Sequence, residues 1–484
     1  MIRKRYKQWS KRRRIVYTTA GILAILYLIV ILWHTFKPLP EGISYKGDMH
    51  QLEDVELLYD LSYAQDTEGT NKEYHLEIFD EIYDTIDEAE EFIVLDLFLF
   101  DNNNDQKIEF PAVSELLTEH LLKKKAENPE MPIYFITDPL NTGYGSYENR
   151  FLDTMDKAGI EIIITDLNQL RDSMPLYSGF YRVLFQWFDN SGEGWIPNGM
   201  SSDAPDLSLA SYLEMLNIKA NHRKAVITEK AAIISSANPH NASGLHGNMA
   251  FKVSGPIIND MLEAEEAVSK FSGGPDFPRI EAEPQQGDYE AQYLTEKRIF
   301  DALIADIDRT RIGDSISLAM FYIAESEILE ALSQAANRGV DVRIVLDPNE
   351  NAFGTEKTGL PNRPVAQELM EESSDNLDIR WYNAVVGQFH TKSILIKTAD
   401  KAFIYGGSAN YTERTLDNYN LESDIRITAP PDSDLVGEFE AYFDPMWNNE
   451  GAMYTLDVEK YQDEFTFWQR GIYGFQKLFK LTTY

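Results

Sequence analysis

Twice in this chain a histidine precedes a lysine by two positions, in Asn221-His222-Arg223-Lys224 and in Phe389-His390-Thr391-Lys392. Each pair is followed by a small polar motif, Ser235-Ser236-Ala237-Asn238 and Gly407-Ser408-Ala409-Asn410. These residue types fit phosphoryl chemistry. An imidazole can attack phosphorus or donate a proton near neutral pH, a lysine brings compact positive charge to phosphoryl oxygens, and Ser and Asn supply hydrogen-bond donors. One His-x-Lys in a chain with 8 histidines carries no weight, but two copies with the same downstream loop do. Side chains alternate along a strand, so each His and its Lys face one way while Ala225, Ile227, Ser393 and Leu395 face the other.

The elements around these motifs repeat as well. Apolar runs from Ala231 to Ile234 and from Ala402 to Tyr405 link each pair to its Ser-Ala-Asn loop, reading as strand, turn, strand, loop. Upstream, the first half shows a helical stretch Ile78 to Glu90, an apolar run Phe92 to Phe100, a helix near Ala112 to Lys125, and a strand Ile133 to Thr137 ending in Asp138-Pro139. The second half follows with Ile299 to Asp308, Ile316 to Tyr322, Glu327 to Ala336, and Val340 to Leu346 ending in Asp347-Pro348. Strand candidates Ile160 to Ile164 and Leu377 to Tyr382 come next in each half. Short apolar runs alternating with amphipathic helices predict α/β units with mostly parallel sheets.

With both motifs in hand, the sequence resembles the phospholipase D superfamily, whose pattern is H-x-K, four residues, D, about six residues and G-S-x-N, present twice; the resemblance covers about residues 75 to 430. It implies two duplicated α/β/α lobes with mixed sheets, packed face to face around one active site. It also implies catalytic His222, Lys224, Asn238, His390, Lys392 and Asn410, with Ser236 and Ser408 as substrate-binding donors. By analogy with two-copy relatives, His222 is expected to be the nucleophile and His390 the general acid. The family's N-x-E pattern is met by Asn420-Leu421-Glu422, so Glu422 is expected to orient one of the two histidines. The corresponding stretch of the first half reads Asn248-Met249-Ala250, which leaves Glu422 as the acid available from this pattern. This chain departs from the motif at Glu229 and Lys397, which occupy the aspartate position, and at Ser235, which replaces the first glycine. Asp400, in a longer turn of the second copy, is a candidate to replace the missing acid. No metal and no cofactor is expected, because the lysines supply the positive charge and no His/Asp/Glu cluster has ligand spacing.

Composition bounds the partners. The 484-residue chain has no cysteine, which excludes disulfides and thiol catalysis, and a formal net charge of -35. Eight basic residues and no acidic one lie in the first 14 positions, so the remainder is still more acidic. Residues 15 to 33, IVYTTAGILAILYLIVILW, are free of charge and at 1.5 Å per residue nearly span a hydrocarbon core. With the basic flank they predict a single-pass anchor, N-terminus cytoplasmic and the catalytic part outside the cell membrane. A cleaved signal peptide is the competing reading, disfavoured because no small-x-small site follows.

The expected domains are a basic N-terminus (1-14), the anchor (15-34), a stalk (35-72), the first lobe (73-275, with an insertion at 174-217), the second lobe (276-445) and a C-terminal amphipathic segment (446-484). Two segments are candidates for bilayer contact: the aromatic insertion, and Trp468 to Leu481 with its basic residues. Acidity argues against nucleic acid, which binds by neutralisation of many phosphates. A phospholipid is the expected substrate, either hydrolysed or transferred as in cardiolipin synthesis. The alternatives are a nuclease of the same superfamily and an inactive surface-binding module on the same fold.

Overall fold

The computed structural model describes residues 10–66, 71–103, 109–190, 192, 194–199, 203–352, 355–356 and 359–464. The first nine residues and the stretch Trp468 to Leu481 lie outside them. Helix α1 (Lys11–Phe36) opens the described chain, with the Ser10 side chain accepting a hydrogen bond from Arg13 N. Its apolar window has a mean hydropathy of 2.5 and none of it is buried, so it is long and apolar enough to cross a membrane.

Strand β1 (His50–Leu52) is followed by the first lobe: β2 (Glu56–Ala64), β3 (Lys72–His75), α2 (Ile78–Glu88), β4 (Ile93–Leu97), α3 (Val113–Glu127), β5 (Ile133–Thr137), α4 (Arg150–Lys157), β6 (Glu161–Ile164), α5 (Pro175–Leu184), α6 (Leu209–Met215), β7 (Lys224–Thr228), β8 (Ala232–Ser235), β9 (Asn248–Val253) and α7 (Ile257–Phe271). The second lobe contains β10 (Tyr289–Thr295), α8 (Lys297–Asp308), β11 (Ser315–Met320), α9 (Ser326–Asn337), β12 (Asp341–Leu346), the short β13 (Asn351–Ala352) and β14 (Thr355–Glu356), α10 (Asn362–Glu372), β15 (Leu377–Tyr382), β16 (Lys392–Lys397), β17 (Ala402–Gly407), α11 (Glu413–Leu416), β18 (Ser423–Ala429), α12 (Asp434–Asn448) and β19 (Thr455–Asp457).

The sheet orders are β3-β2-β9-β8-β7-β4-β5-β6 and β1-β10-β18-β17-β16-β11-β12-β15-β19. Both sheets are mixed, but the expectation of mostly parallel pairing is corrected. Among the described strands, parallel pairing is confined to β4–β5–β6 and β11–β12–β15. The strand that carries each lysine returns on itself as the hairpins β7–β8 and β16–β17, and hairpins pair antiparallel.

The expected stalk also needs correction. Within residues 35–72, β1 pairs with β10 in the second sheet and β2 pairs with β9 in the first, so this segment runs between the lobes. At the other end, β19 pairs with β15, so residues 455–457, which fall within the expected C-terminal segment, belong to the second sheet.

Strand periodicity sorts the core into three layers. Ile93 and Leu95 pack outward against Ile82, Ile86, Leu117 and Leu121 of α2 and α3, while Val94 between them joins the central core. In the second lobe, Ile394 and Ile396 pack outward with Leu303 and Leu332 of α8 and α9, and Leu395 turns inward. The central core holds Ala225, Ile227 and Phe251 of one sheet with Leu395, Ile404 and Ile425 of the other, flanked by α7 and α12. Two sheets thus share one apolar interior, and the ends of their central strands meet at a common edge.

Candidate active site

Each lysine begins a strand, and the register opposite it is the same in both lobes: Lys224 faces Leu97, the last residue of β4, and Lys392 faces Met320, the last residue of β11. The histidines sit two residues earlier, on extended segments just ahead of the strands. A buried aspartate fixes each segment. Asp138 Oδ2 accepts from Asn221 N (2.8 Å) and Asp347 Oδ2 from Phe389 N (2.7 Å). Burial pushes these carboxyls up to about 7 and about 6, against the backbone donors that favour the charged forms. The segments also cross between lobes, with His222 N bonding to Leu421 O (2.9 Å) and His390 N to Gly247 O (2.7 Å).

This exchange brings the two rings together, His222 and His390, with centroids 6.4 Å apart and planes at 69°. Lys224 Nζ donates to His222 O and Lys392 Nζ to His390 O, both at 2.6 Å. The next residue after each opposing strand is a phenylalanine lying beside both groups. Phe98 is 4.8 Å from the His222 ring and 5.1 Å from Lys224 Nζ, while Phe321 is 4.9 Å from the His390 ring and from Lys392 Nζ.

Burial, reinforced by the two lysines, holds both histidines well below the ordinary imidazole range. It also lowers Lys224 to about 7 and Lys392 well below its usual value. The cleft therefore favours neutral groups until an anion enters; a phosphate would supply the charge that draws protons onto them.

Glu422 orients His222, on the opposite lobe: its Oε2 lies 2.9 Å from His222 Nδ1 and accepts from Ser408 Oγ (2.6 Å). Burial pushes Glu422 well above the usual carboxyl range, opposed by Lys224 and the Ser408 hydroxyl. His390 Nδ1 contacts Ser236 O (3.0 Å) and Asn248 Oδ1 (3.3 Å) instead. A carbonyl oxygen only accepts, so His390 carries its proton on Nδ1 and its lone pair on Nε2 when neutral.

Asn248 is the counterpart of Glu422, which shifts the expected alignment of the halves by two residues. Met249 N donates to Ser236 Oγ as Ser423 N donates to Ser408 Oγ, both at 3.0 Å. By the same offset Ala250 matches Asp424, and the missing glycine is explained. Asp424 Oδ1 accepts from Ala409 N (3.1 Å), and a Cβ on Gly407 would lie 2.5 Å from that oxygen and 2.2 Å from Ser423 O. In the first lobe Ser235 Oγ accepts from Ala237 N (2.8 Å), opposite the small Ala250. One side chain does the same job from either strand.

The other motif departures are structural too. Glu229 accepts from the backbone N–H groups of Glu90 (2.7 Å) and Glu91 (3.1 Å) at the approach to β4. Lys397 pairs with Glu440 of α12 (2.5 Å), and Asp400 lies exposed in its turn, taking no comparable role among the described residues. Asn238 and Asn410 are buried, and among the described residues the Oδ1 of each has no hydrogen-bond partner. Such a group ordinarily costs about 1–3 kcal/mol when left unmade, and the same orphan recurs in both copies.

Several contributors escaped the sequence reading. Arg223, fully buried, pairs with Glu265 (3.2 Å) of α7 and with Glu296 (2.7 Å) of the second lobe. Glu296 Oε1 also accepts from Glu422 N (3.1 Å), so the guanidinium braces the loop that carries Glu422. His246 stands 5.9 Å from the His390 ring, and burial lowers it to about 3. The repeated Asp-Pro pairs and the phenylalanine after each central strand were visible signals; Asn248 was visible only once its register was known.

Residues 293–447 match the family model described as cardiolipin synthase, PLD-like domain. No curated protein sequence matches the chain. Among solved structures, phosphatidylserine synthase from Haemophilus influenzae Rd KW20 superposes with a TM-score of 0.58 at 10% identity, over 90% of this chain and 95% of that one. The phospholipase D family member Nuc from Salmonella typhimurium aligns over 34% of this chain and 97% of its own length, at 21% identity and a TM-score of 0.27. Residues 293–447 thus carry a phospholipase D-like domain, the same motif and strand plan recurs in the first half, and the fold is shared with a solved synthase.

Proposed function

We propose that this chain is a membrane-anchored enzyme that transfers a phosphatidyl group from a phospholipid to water or to an alcohol, by way of a phosphohistidine. The observation that carries the reading is the pair of imidazoles 6.4 Å apart, flanked by two buried lysines. His222 Nε2 attacks phosphorus, the bond to the head-group oxygen breaks, and His390 gives its proton to the departing alkoxide. His390 then removes a proton from the incoming water or alcohol, whose oxygen displaces His222 and breaks the P–N bond. Lys224 and Lys392 face the non-bridging oxygens, and Asn238, Asn410, Ser236 and Ser408 orient the reacting group.

His222 takes the nucleophilic role because Glu422 stands behind it. A carboxylate on Nδ1 leaves Nε2 free to attack and stabilises the positive ring formed with phosphorus. Helix α1 supports a membrane location, and a formal charge of -35 disfavours a long polyanion as substrate. The phospholipid class is supported by the cardiolipin synthase family model.

The test is to reconstitute the full chain with phosphatidylglycerol vesicles, with and without added glycerol, and to resolve the lipids. Phosphatidic acid is the expected product of hydrolysis and cardiolipin of transfer. Loss of neither lipid nor head group, or cleavage of single-stranded DNA in its place, contradicts the proposal.

A further inference from the structure

The first lobe has a segment that the second lacks. Between β6 and Asn221 the chain makes the long excursion that carries α5 and α6, whereas only residues 383–388 separate β15 from Phe389. From Ser173 to Phe188 it contains no acidic residue, in a protein with 79, and its one charge is Arg182. Leu176 (54%), Phe180 (44%), Val183 (43%), Leu184 (48%), Trp187 (76%) and Phe188 (63%) are all exposed. Their spacing of i, i+4, i+7, i+8, i+11 and i+12 puts them on one side of a helix and its continuing turn. The other side is fixed inward, with Ser178, Tyr181 and Arg182 buried and Arg182 paired to Asp172 (2.9 Å).

This apolar stripe is continuous with α1. Tyr27 Oη donates to Leu176 O (2.6 Å), and a Cβ on Gly179 would lie 2.5 Å from Ile31 Cγ1, so α5 rests directly on the helix. Asp172 N donates to His34 O (2.9 Å) at the base. Tyr27 precedes Trp33 by six residues, which is about 9 Å along the axis. Two basic groups sit at the base, where Arg171 Nε donates to Lys37 O (2.9 Å) and Lys37 Nζ to Asn168 O (2.7 Å), while Lys219 is buried in a pair with Asp172 (3.0 Å). Cations at the head-group level with aromatic and aliphatic side chains beyond them are the layout of a segment lying in one leaflet.

We infer that α5 and the turn after it, from Leu176 to Phe188, insert into the bilayer beside the distal part of α1 and seat the cleft against the membrane. The inference rests on the membrane-anchored reading above. The base of the segment is tied to both catalytic motifs, since Arg414 Nη1, four residues past Asn410, donates to Ser173 Oγ (2.6 Å) and to Ile218 O (2.5 Å), four residues before His222.

The absence of cysteine makes the test direct, because single spin labels can be placed through Phe188→Cys, Ile22→Cys and Lys401→Cys in the full chain in phosphatidylglycerol vesicles. The label at 188 is expected to collide with oxygen and be shielded from an aqueous nickel chelate, at a depth of about 5–10 Å. Shielding at 22 with chelate access at 188 equal to that at 401 overturns the insertion and leaves the anchor standing. Chelate access at both 22 and 188 removes both. As a second readout, Trp187→Ser with Phe188→Ser is expected to raise KM for vesicle lipid about tenfold, or about 1.4 kcal/mol, with turnover of a monomeric short-chain lipid unchanged. An equal loss on both substrates assigns these residues to folding and overturns the insertion.

Discussion

Behind His222 stands a carboxylate, Glu422, and behind His390 stand a carboxamide, Asn248, and a backbone carbonyl, Ser236 O. Both orienting side chains come from the opposite lobe, and both rest on a Ser-Ala-Asn serine, Ser408 or Ser236. The scaffold is therefore duplicated while the electrostatics are not. A carboxylate stabilises a ring that becomes positive, as a nucleophile must on bonding phosphorus. A carboxamide fixes the tautomer without favouring charge, and leaves His390 to take a proton from solvent, the protonated ring then being stabilised by the bound phosphate. The duplicated frame permits two roles because the residue behind each ring differs.

Gly407→Ala attacks the frame itself. Its new Cβ would meet the Ser423 carbonyl, so a loss of about 2–4 kcal/mol in denaturant unfolding is expected. The equivalent Ser235→Ala only uncaps the Ala237 N–H and should cost about 1 kcal/mol. Equal losses at both positions would remove the compensation drawn between Ser235 and Asp424.

Catalysis sharpens the contrast further. Glu422→Gln should lower kcat by about 10²–10⁴-fold, since a tautomer-fixing carboxylate is lost, while Asn248→Ala should cost about tenfold. Similar losses would show that both partners only position. Asn248→Asp should move the alkaline limb of kcat upward by about one pH unit. An acid must be protonated, burial depresses His390, and a nearby negative charge raises it again, so activity persists to higher pH. A limb that stays in place or moves down would remove His390 from the acid role.

The candidate site was legible because chemistry constrains side-chain type and spacing locally: His222, Lys224, His390 and Lys392 are recognisable within four-residue windows, while strand Ile133–Thr137 follows from an unbroken apolar run and Leu377–Tyr382 from apolar residues alternating with Asp378 and Arg380. The sheet direction was less legible, since an apolar run says nothing of its neighbour, and only the hairpin turns at Glu229 and Thr398 reveal the antiparallel pairing. Strands β1 and β2 read as linker because their partners, β10 and β9, lie far along the chain. Asn248 was misregistered for a related reason. Its identity as the counterpart of Glu422 is written in hydrogen bonds to Ser236 and Ser408, which no local pattern contains.

The account turns on His222 and His390 acting on one phosphorus in distinct roles. A phosphatidyl ester of p-nitrophenol needs no acid to expel its leaving group, so it separates those roles in one stopped-flow measurement on the two alanine variants. His390→Ala should release one equivalent of nitrophenolate per protein in a burst and then stall, with the phosphatidyl group on His222 by peptide mass spectrometry, and His222→Ala should release none. A burst from His222→Ala with the adduct on His390, or steady turnover in either variant, would contradict the account.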